Sequence, residues 1–163
     1  MTAARDLYVT GLKNAHAMES QAHELLERQA GRLEEFPEVR ERVRAHLQET
    51  KTQLERLERC LSSLDSSPSS LKDTALAFGG NLAALTNAMA GDEILKNTFA
   101  NSAFEHYEIA AYKSLLALAK EAGVQHRELE QSLQEEERMA DWIDEQVEPI
   151  TIKYLHVEER NAA

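Results

Sequence analysis

Apolar residues recur along this chain at alternating spacings of three and four, the period of helices that bury one face. A first helix is predicted over residues 4–30, with the inward stripe Tyr8, Leu12, Ala15, Glu19, Ala22, Leu26 and Gly31 near its end. Pro37 suits the first turn of a second helix over 37–64, whose stripe reads Val39, Val43, His46/Leu47, Thr50, Leu54, Leu57, Leu61, Leu64. The short turn between the two makes them an antiparallel pair. A third helix over 92–122 carries Leu95, Thr98, Ser102, Glu105, Ile109, Tyr112, Leu116 and Ala119 inward, and Gly123 ends it. The fourth, over 126–148, carries the stripe Leu129, Leu133, Glu136, Ala140, Ile143, Val147 and Ile150, and Pro149 is expected to kink or end it.

Between the second and third helices lies the serine-rich run from Ser62 to Ser70, after which Ser69 or Ser70 can cap a short helix over 71–89. That segment reads as a crossover joining two helical hairpins. The pattern needs no strand, and the expectation is an all-α four-helix bundle with a short crossover helix, in one domain over residues 1–163.

Composition narrows the function more than it alters the fold. A hydrophobic content of 42% supports a core without metal or disulfide staples. The net charge of −11 repels nucleic acid and anionic membranes, so neither is expected as a partner. No window approaches the roughly 20 apolar residues of a membrane span. The single cysteine, Cys60, and the lack of a basic start followed by an apolar run make the expected location cytoplasmic. Cys60 has no activating arrangement, and no Gly-x-Ser-x-Gly elbow or phosphate-cradling glycine loop occurs. Nucleophilic and nucleotide-dependent enzymes are therefore set aside.

Candidate chemistry sits where the stripes break their own rule. Glu19, Glu105 and Glu136 occupy positions with apolar neighbours three or four residues away on both sides. A lone ionised carboxylate in a core costs several kcal/mol, so such groups are paired, protonated or bound to a cation. With few inward basic residues, a divalent metal is the economical partner for clustered carboxylates and imidazoles. If the first hairpin turns near Glu34, Glu19 and Glu49 each lie about 15 residues from the turn and converge at one level. His46 shares a face with Glu49, and Glu105 and Glu108 stand one turn apart on the third helix. Glu136 is the best candidate on the fourth, with Glu135 and Glu137 read as flanking the stripe. His16 and His23 read as flank histidines, and His106 as offset from the inward pair. Tyr112 reads as core, with a hydroxyl placed to bond a ligand.

At these residues the chain resembles the YciE/YciF family, a branch of the ferritin-like superfamily, over nearly its whole length. The segments that carry the resemblance are Asp6-Leu7-Tyr8 with Ala17-Met18-Glu19-Ser20-Gln21, His46-Leu47-Gln48-Glu49-Thr50, Glu105-His106-Tyr107-Glu108-Ile109-Ala110-Ala111-Tyr112, and Leu133-Gln134-Glu135-Glu136-Glu137. The third segment also looks like the Glu-x-x-Glu helix of rubrerythrin-type di-iron proteins. The resemblance implies a ferritin-like bundle with a dinuclear metal site. Full ferritin-like sites use Glu-x-x-His on two helices, whereas here Thr52 follows Glu49 and Met139 follows Glu136 at the third position. Lys51 and Ala140 stand where some relatives carry His and Asp.

The leading expectation is thus a stress-associated ferritin-like protein that binds two iron ions, or manganese or zinc, through Glu19, His46, Glu49, Glu105, Glu108 and Glu136. An active site of this kind would oxidise Fe(II) with oxygen or peroxide, a ferroxidase-like activity without an organic cofactor. The competing expectation is a non-catalytic scaffold or dimerisation protein with a degenerate site. A homodimer, by analogy with the family, fits both.

Overall fold

The computed structural model describes residues 2–64 and 92–163. Four helices account for nearly all of them: α1, Ala3–Ala30; α2, Pro37–Ser63; α3, Glu93–Glu121; and α4, Arg127–Ala162. There is no strand among the described residues. The crossover helix expected over 71–89 lies outside them.

Local chemistry sets the helix ends. The Thr2 side chain accepts a hydrogen bond from the Arg5 amide and so caps α1. Pro37 opens α2, where its missing N–H costs nothing. Gly123 adopts φ +69°, the left-handed conformation that closes a helix, and the Val124 amide donates back to the Ala119 carbonyl.

Side-chain contacts give the directions. Gln29 bonds Asn101 and Tyr112 bonds Glu19, so α1 and α3 are antiparallel. Arg56 bonds Glu135 and Ser63 bonds His126, so α2 and α4 are antiparallel as well. α2 therefore runs parallel to α3. It ends beside His126, while α3 begins where Arg32 pairs with Glu93, at the opposite end of the bundle.

Two apolar clusters fill the interior. One packs Tyr8, Leu12, Leu57, Leu61, Leu115 and Leu129 near the α3–α4 turn. The other packs Leu26, Leu33, Phe36, Val43 and Ile150 at the end holding the α1–α2 turn. Between them the helices bury polar side chains, among them Glu19, His46, Gln53, Glu105, Glu108 and Glu136.

The fourth helix departs from expectation. It does not end or break at Pro149 but continues to Ala162. Pro149 itself is exposed, so the backbone carbonyl that loses its partner there can turn to water. Past the proline, Ile150 and Val157 are buried, Tyr154 packs on the second cluster, and Lys153 lies over the Phe36 ring. Burial of that face outweighs the local cost of the proline.

Candidate metal centre

The inward stripes of α2 and α3 fall slightly off the spacing read from sequence. On α2 the buried positions are Val43, His46, Thr50, Gln53 and Leu57, with Gln53 rather than Leu54 facing the interior. On α3 Glu105, Glu108, Tyr112 and Leu115 are buried, and Ile109 lies to the side. Each swing is one residue, about 100° around the helix. It brings a second carboxylate of α3 and an amide of α2 into the same layer as Glu19 and Glu136.

His46, Glu105, Glu108 and Glu136 form the compact group, each offering one ligand atom within 4.8 Å of the others. All four are almost fully buried. His46 Nε2 lies 3.4 Å from Glu105 Oε2 and 3.4 Å from Glu136 Oε2. Its Nδ1 lies 2.8 Å from Glu49 Oε2. A proton held on Nδ1 toward Glu49 leaves the Nε2 lone pair facing the carboxylates, the tautomer a metal ligand requires.

Glu19 lies beside this group and is fully buried. Its Oε1 accepts a 2.6 Å hydrogen bond from the Tyr112 hydroxyl. Glu49 stands apart from the other residues expected at the site. It is about a quarter exposed, bonds His46 from outside and has Arg42 at 3.5 Å. The first hairpin explains the difference: His16 meets Glu58, a register that sets Glu19 nearer to Gln53 than to Glu49. His16 is thus engaged at the surface, His23 is half-buried on α1, and exposed His106 bonds the Ser102 carbonyl.

Two residues of this layer escaped the sequence reading. Gln53 is fully buried and its amide nitrogen donates to Glu136 Oε1 and, at 3.1 Å, to Glu135 Oε2. Glu135 does not flank the stripe but is buried, gripped by Arg56 through bonds of 2.6 and 2.9 Å. The signal was present in the spacing: Thr50, Gln53, Arg56 and Leu57 follow the three-and-four rhythm as well as Thr50, Leu54 and Leu57 do. The greater hydrophobicity of Leu54 hid it.

The electrostatics are those of crowded anions. Burial, then the charges of Glu136 and Glu105, hold the Glu19 carboxyl well above the usual range. Burial first, with Glu136 and Glu19 next, does the same for Glu108. Glu105 is pushed up to about 8 by burial, with His46 pulling the other way. Burial disfavours the charged form of His46, but Glu105, Glu136 and Glu49 outweigh it and raise the imidazole well above its ordinary value. The hydrogen bond from His46 lowers Glu49.

Five buried carboxylate oxygens have no hydrogen-bond partner: Glu19 Oε2, Glu105 Oε2, both oxygens of Glu108, and Glu136 Oε2. Among the described residues no lysine or arginine pairs with these four side chains. Orphaned oxygens around one imidazole fit a cation of the iron, manganese or zinc kind, which takes mixed nitrogen and oxygen donors.

Fold and site together define a helical-bundle protein with a buried His/Glu group able to hold a metal ion. The chain belongs to the family described as a domain of unknown function, DUF892, which matches residues 3–156. Among solved structures it is similar to a protein of Xanthomonas campestris pv. campestris, 32% identical with a TM-score of 0.78, over 97% of this chain and 99% of that one. It shares its fold with the E. coli stress protein YciF, 23% identical with a TM-score of 0.68, over 96% and 99% of the two chains. YcfI of Rhodopseudomonas palustris, 24% identical, also has a TM-score of 0.68, over 88% and 94%. The YciE/YciF resemblance of the sequence is thus borne out.

Proposed function

We propose that the protein binds two divalent ions, iron foremost, in the polar layer between its apolar clusters. The observation that carries this reading is the set of five buried carboxylate oxygens around His46 that have no hydrogen-bond partner. Glu19, Glu105, Glu108 and Glu136 place four potential negative charges out of water. Two divalent cations neutralise four carboxylates, whereas one leaves a net buried charge of about −2 that protons must cancel. His46, Glu105, Glu108 and Glu136 would hold one ion, with Glu19 Oε2 and the remaining Glu108 oxygen available to the other.

Iron held there would supply one-electron redox chemistry toward oxygen or peroxide, the basis of a ferroxidase-like activity. The protein's own part is narrower and follows from its residues. Glu49 keeps the imidazole proton on Nδ1, Tyr112 fixes the Glu19 carboxylate, and the flanking apolar clusters keep bulk water from the layer. A stress-associated role accords with the description of YciF as a stress protein. A cytoplasmic location and a homodimer belong to the same proposal; light scattering on the purified chain reads the oligomer directly.

The decisive experiment is an anaerobic Fe(II) titration of metal-stripped protein, followed by oxygen and then peroxide. About two equivalents bound per chain, and oxidation faster than in buffer, are expected. Glu108→Ala should weaken binding by at least about 10-fold. A parent without saturable binding would leave the fold as a scaffold and remove this reading.

A further inference from the structure

Glu135 and Glu136 are adjacent, both buried, and treated in opposite ways. Glu135 has no free oxygen: Oε2 accepts from Arg56 at 2.6 Å and Gln53 at 3.1 Å, and Oε1 from Arg56 at 2.9 Å and Gln131 at 3.3 Å. Arg56 also donates to the Ser132 hydroxyl at 3.1 Å, so one helical turn of α4 is tied to one guanidinium. Glu136 receives a single hydrogen bond, from Gln53 to Oε1, while its Oε2 has no hydrogen-bond partner and faces His46 Nε2 at 3.4 Å.

The Gln53 amide is oriented by what its nitrogen meets, its own Oε1 being buried without a hydrogen-bond partner. Its nitrogen faces two carboxylates, and turning the group over would set an amide oxygen against both. The fixed Arg56–Glu135 pair supplies one of those carboxylates, so the pair determines where the donor for Glu136 sits. On the α1 side Tyr112 does the matching job, occupying Glu19 Oε1 and leaving Oε2. Among the described residues, Glu108 is the carboxylate with both oxygens buried and without a hydrogen-bond partner.

Resting on the dinuclear reading above, we propose that Gln53, held by the buried Arg56–Glu135 pair, is a positioning residue that restricts Glu136 to one metal-binding oxygen. Glu108, with both oxygens open, would then be the carboxylate free to serve either ion. The pair itself gives a supporting reason. A buried ion pair is weak evidence of stabilisation, because removing both charges from water offsets their attraction. Here it orders an amide that bonds directly to the candidate centre.

Co(II) is the probe, because its visible absorption reports coordination number as well as occupancy. Metal-stripped parent, Gln53→Met and Arg56→Lys are titrated anaerobically, with circular dichroism confirming that each is folded. Gln53→Met keeps bulk but removes the donor, freeing Glu136 Oε1. Its Co(II) affinity should fall about 10- to 100-fold, and the visible bands should weaken as Glu136 binds through two oxygens. Arg56→Lys keeps the charge but loses the planar fork, so it should shift the bands in the same direction with a smaller loss of affinity. The lysine variant reads the same linkage if the methionine variant does not fold. A parent that binds Co(II) while both variants give its spectrum and affinity overturns the positioning role and leaves the metal centre standing. A parent that binds no Co(II) removes the centre and this role with it.

Discussion

Tyr112 shows how one hydroxyl can matter in this interior. It is fully buried and gives Glu19 its one hydrogen bond. Tyr112→Phe removes the donor and strands a second buried oxygen, so the metal-free protein should lose about 1–3 kcal/mol of stability in urea unfolding. A loss under about 0.5 kcal/mol would mean that water reaches Glu19. At this scale the sequence was informative wherever a charged residue stood in an apolar stripe. Glu19, Glu105 and Glu136 were visible for that reason, and Glu108 and His46 by their spacing from others. Gln53 was not, because an uncharged amide beside a leucine breaks no pattern. Glu49 was misplaced because its depth depended on where the first hairpin turns, and the His16–Glu58 contact shows a register that favours Gln53.

At the scale of elements, the three-and-four periodicity marked α1, α2 and α3 closely, since each has one apolar face and a punctuating Gly, Pro or Ser nearby. The end of α4 was only half legible, because the inward stripe reached Ile150 while Pro149 argued for a stop. Proline is a local signal, and what overrides it is tertiary: Ile150 packs with Leu26, Leu33, Phe36 and Val43, residues distant in sequence. Ile150→Ala should therefore cost about 2–4 kcal/mol, and the loss should appear as fraying of the helix beyond Pro149. Urea unfolding gives the first quantity and amide exchange over 150–162 the second. Unchanged exchange there would mean that the surface pairs Arg160–Glu35 and Lys153–Glu38 hold the segment.

For the whole molecule, the polar layer makes stability depend on pH and metal together. Glu19, Glu105 and Glu108 are raised in the folded state, so their protonated forms favour folding, fully so below the unfolded value. That contribution is lost as pH rises through the folded values, about 8 for Glu105. His46 is raised too, and its contribution is likewise lost on going up in pH. Glu49 is lowered and acts oppositely, but only in acid, where falling pH protonates it. Metal-free protein should accordingly lose thermal stability from pH 5.5 to 8.5. Metal-loaded protein should not, because ions displace the same protons and bind better as they leave. Melting temperatures of both forms across that range check the prediction; parallel curves would refute it.

The placement of that layer has a consequence for how the two ends of the bundle communicate. Each apolar cluster draws residues from several helices, and what lies between them is a stratum of crowded anions. Without ions, what ties the helices at that level is a few buried bonds, among them Tyr112 to Glu19 and Arg56 to Glu135. Ions bridging α1, α2, α3 and α4 at mid-height would act as a rivet. They would make opening of one end cost more at the other than those bonds alone can.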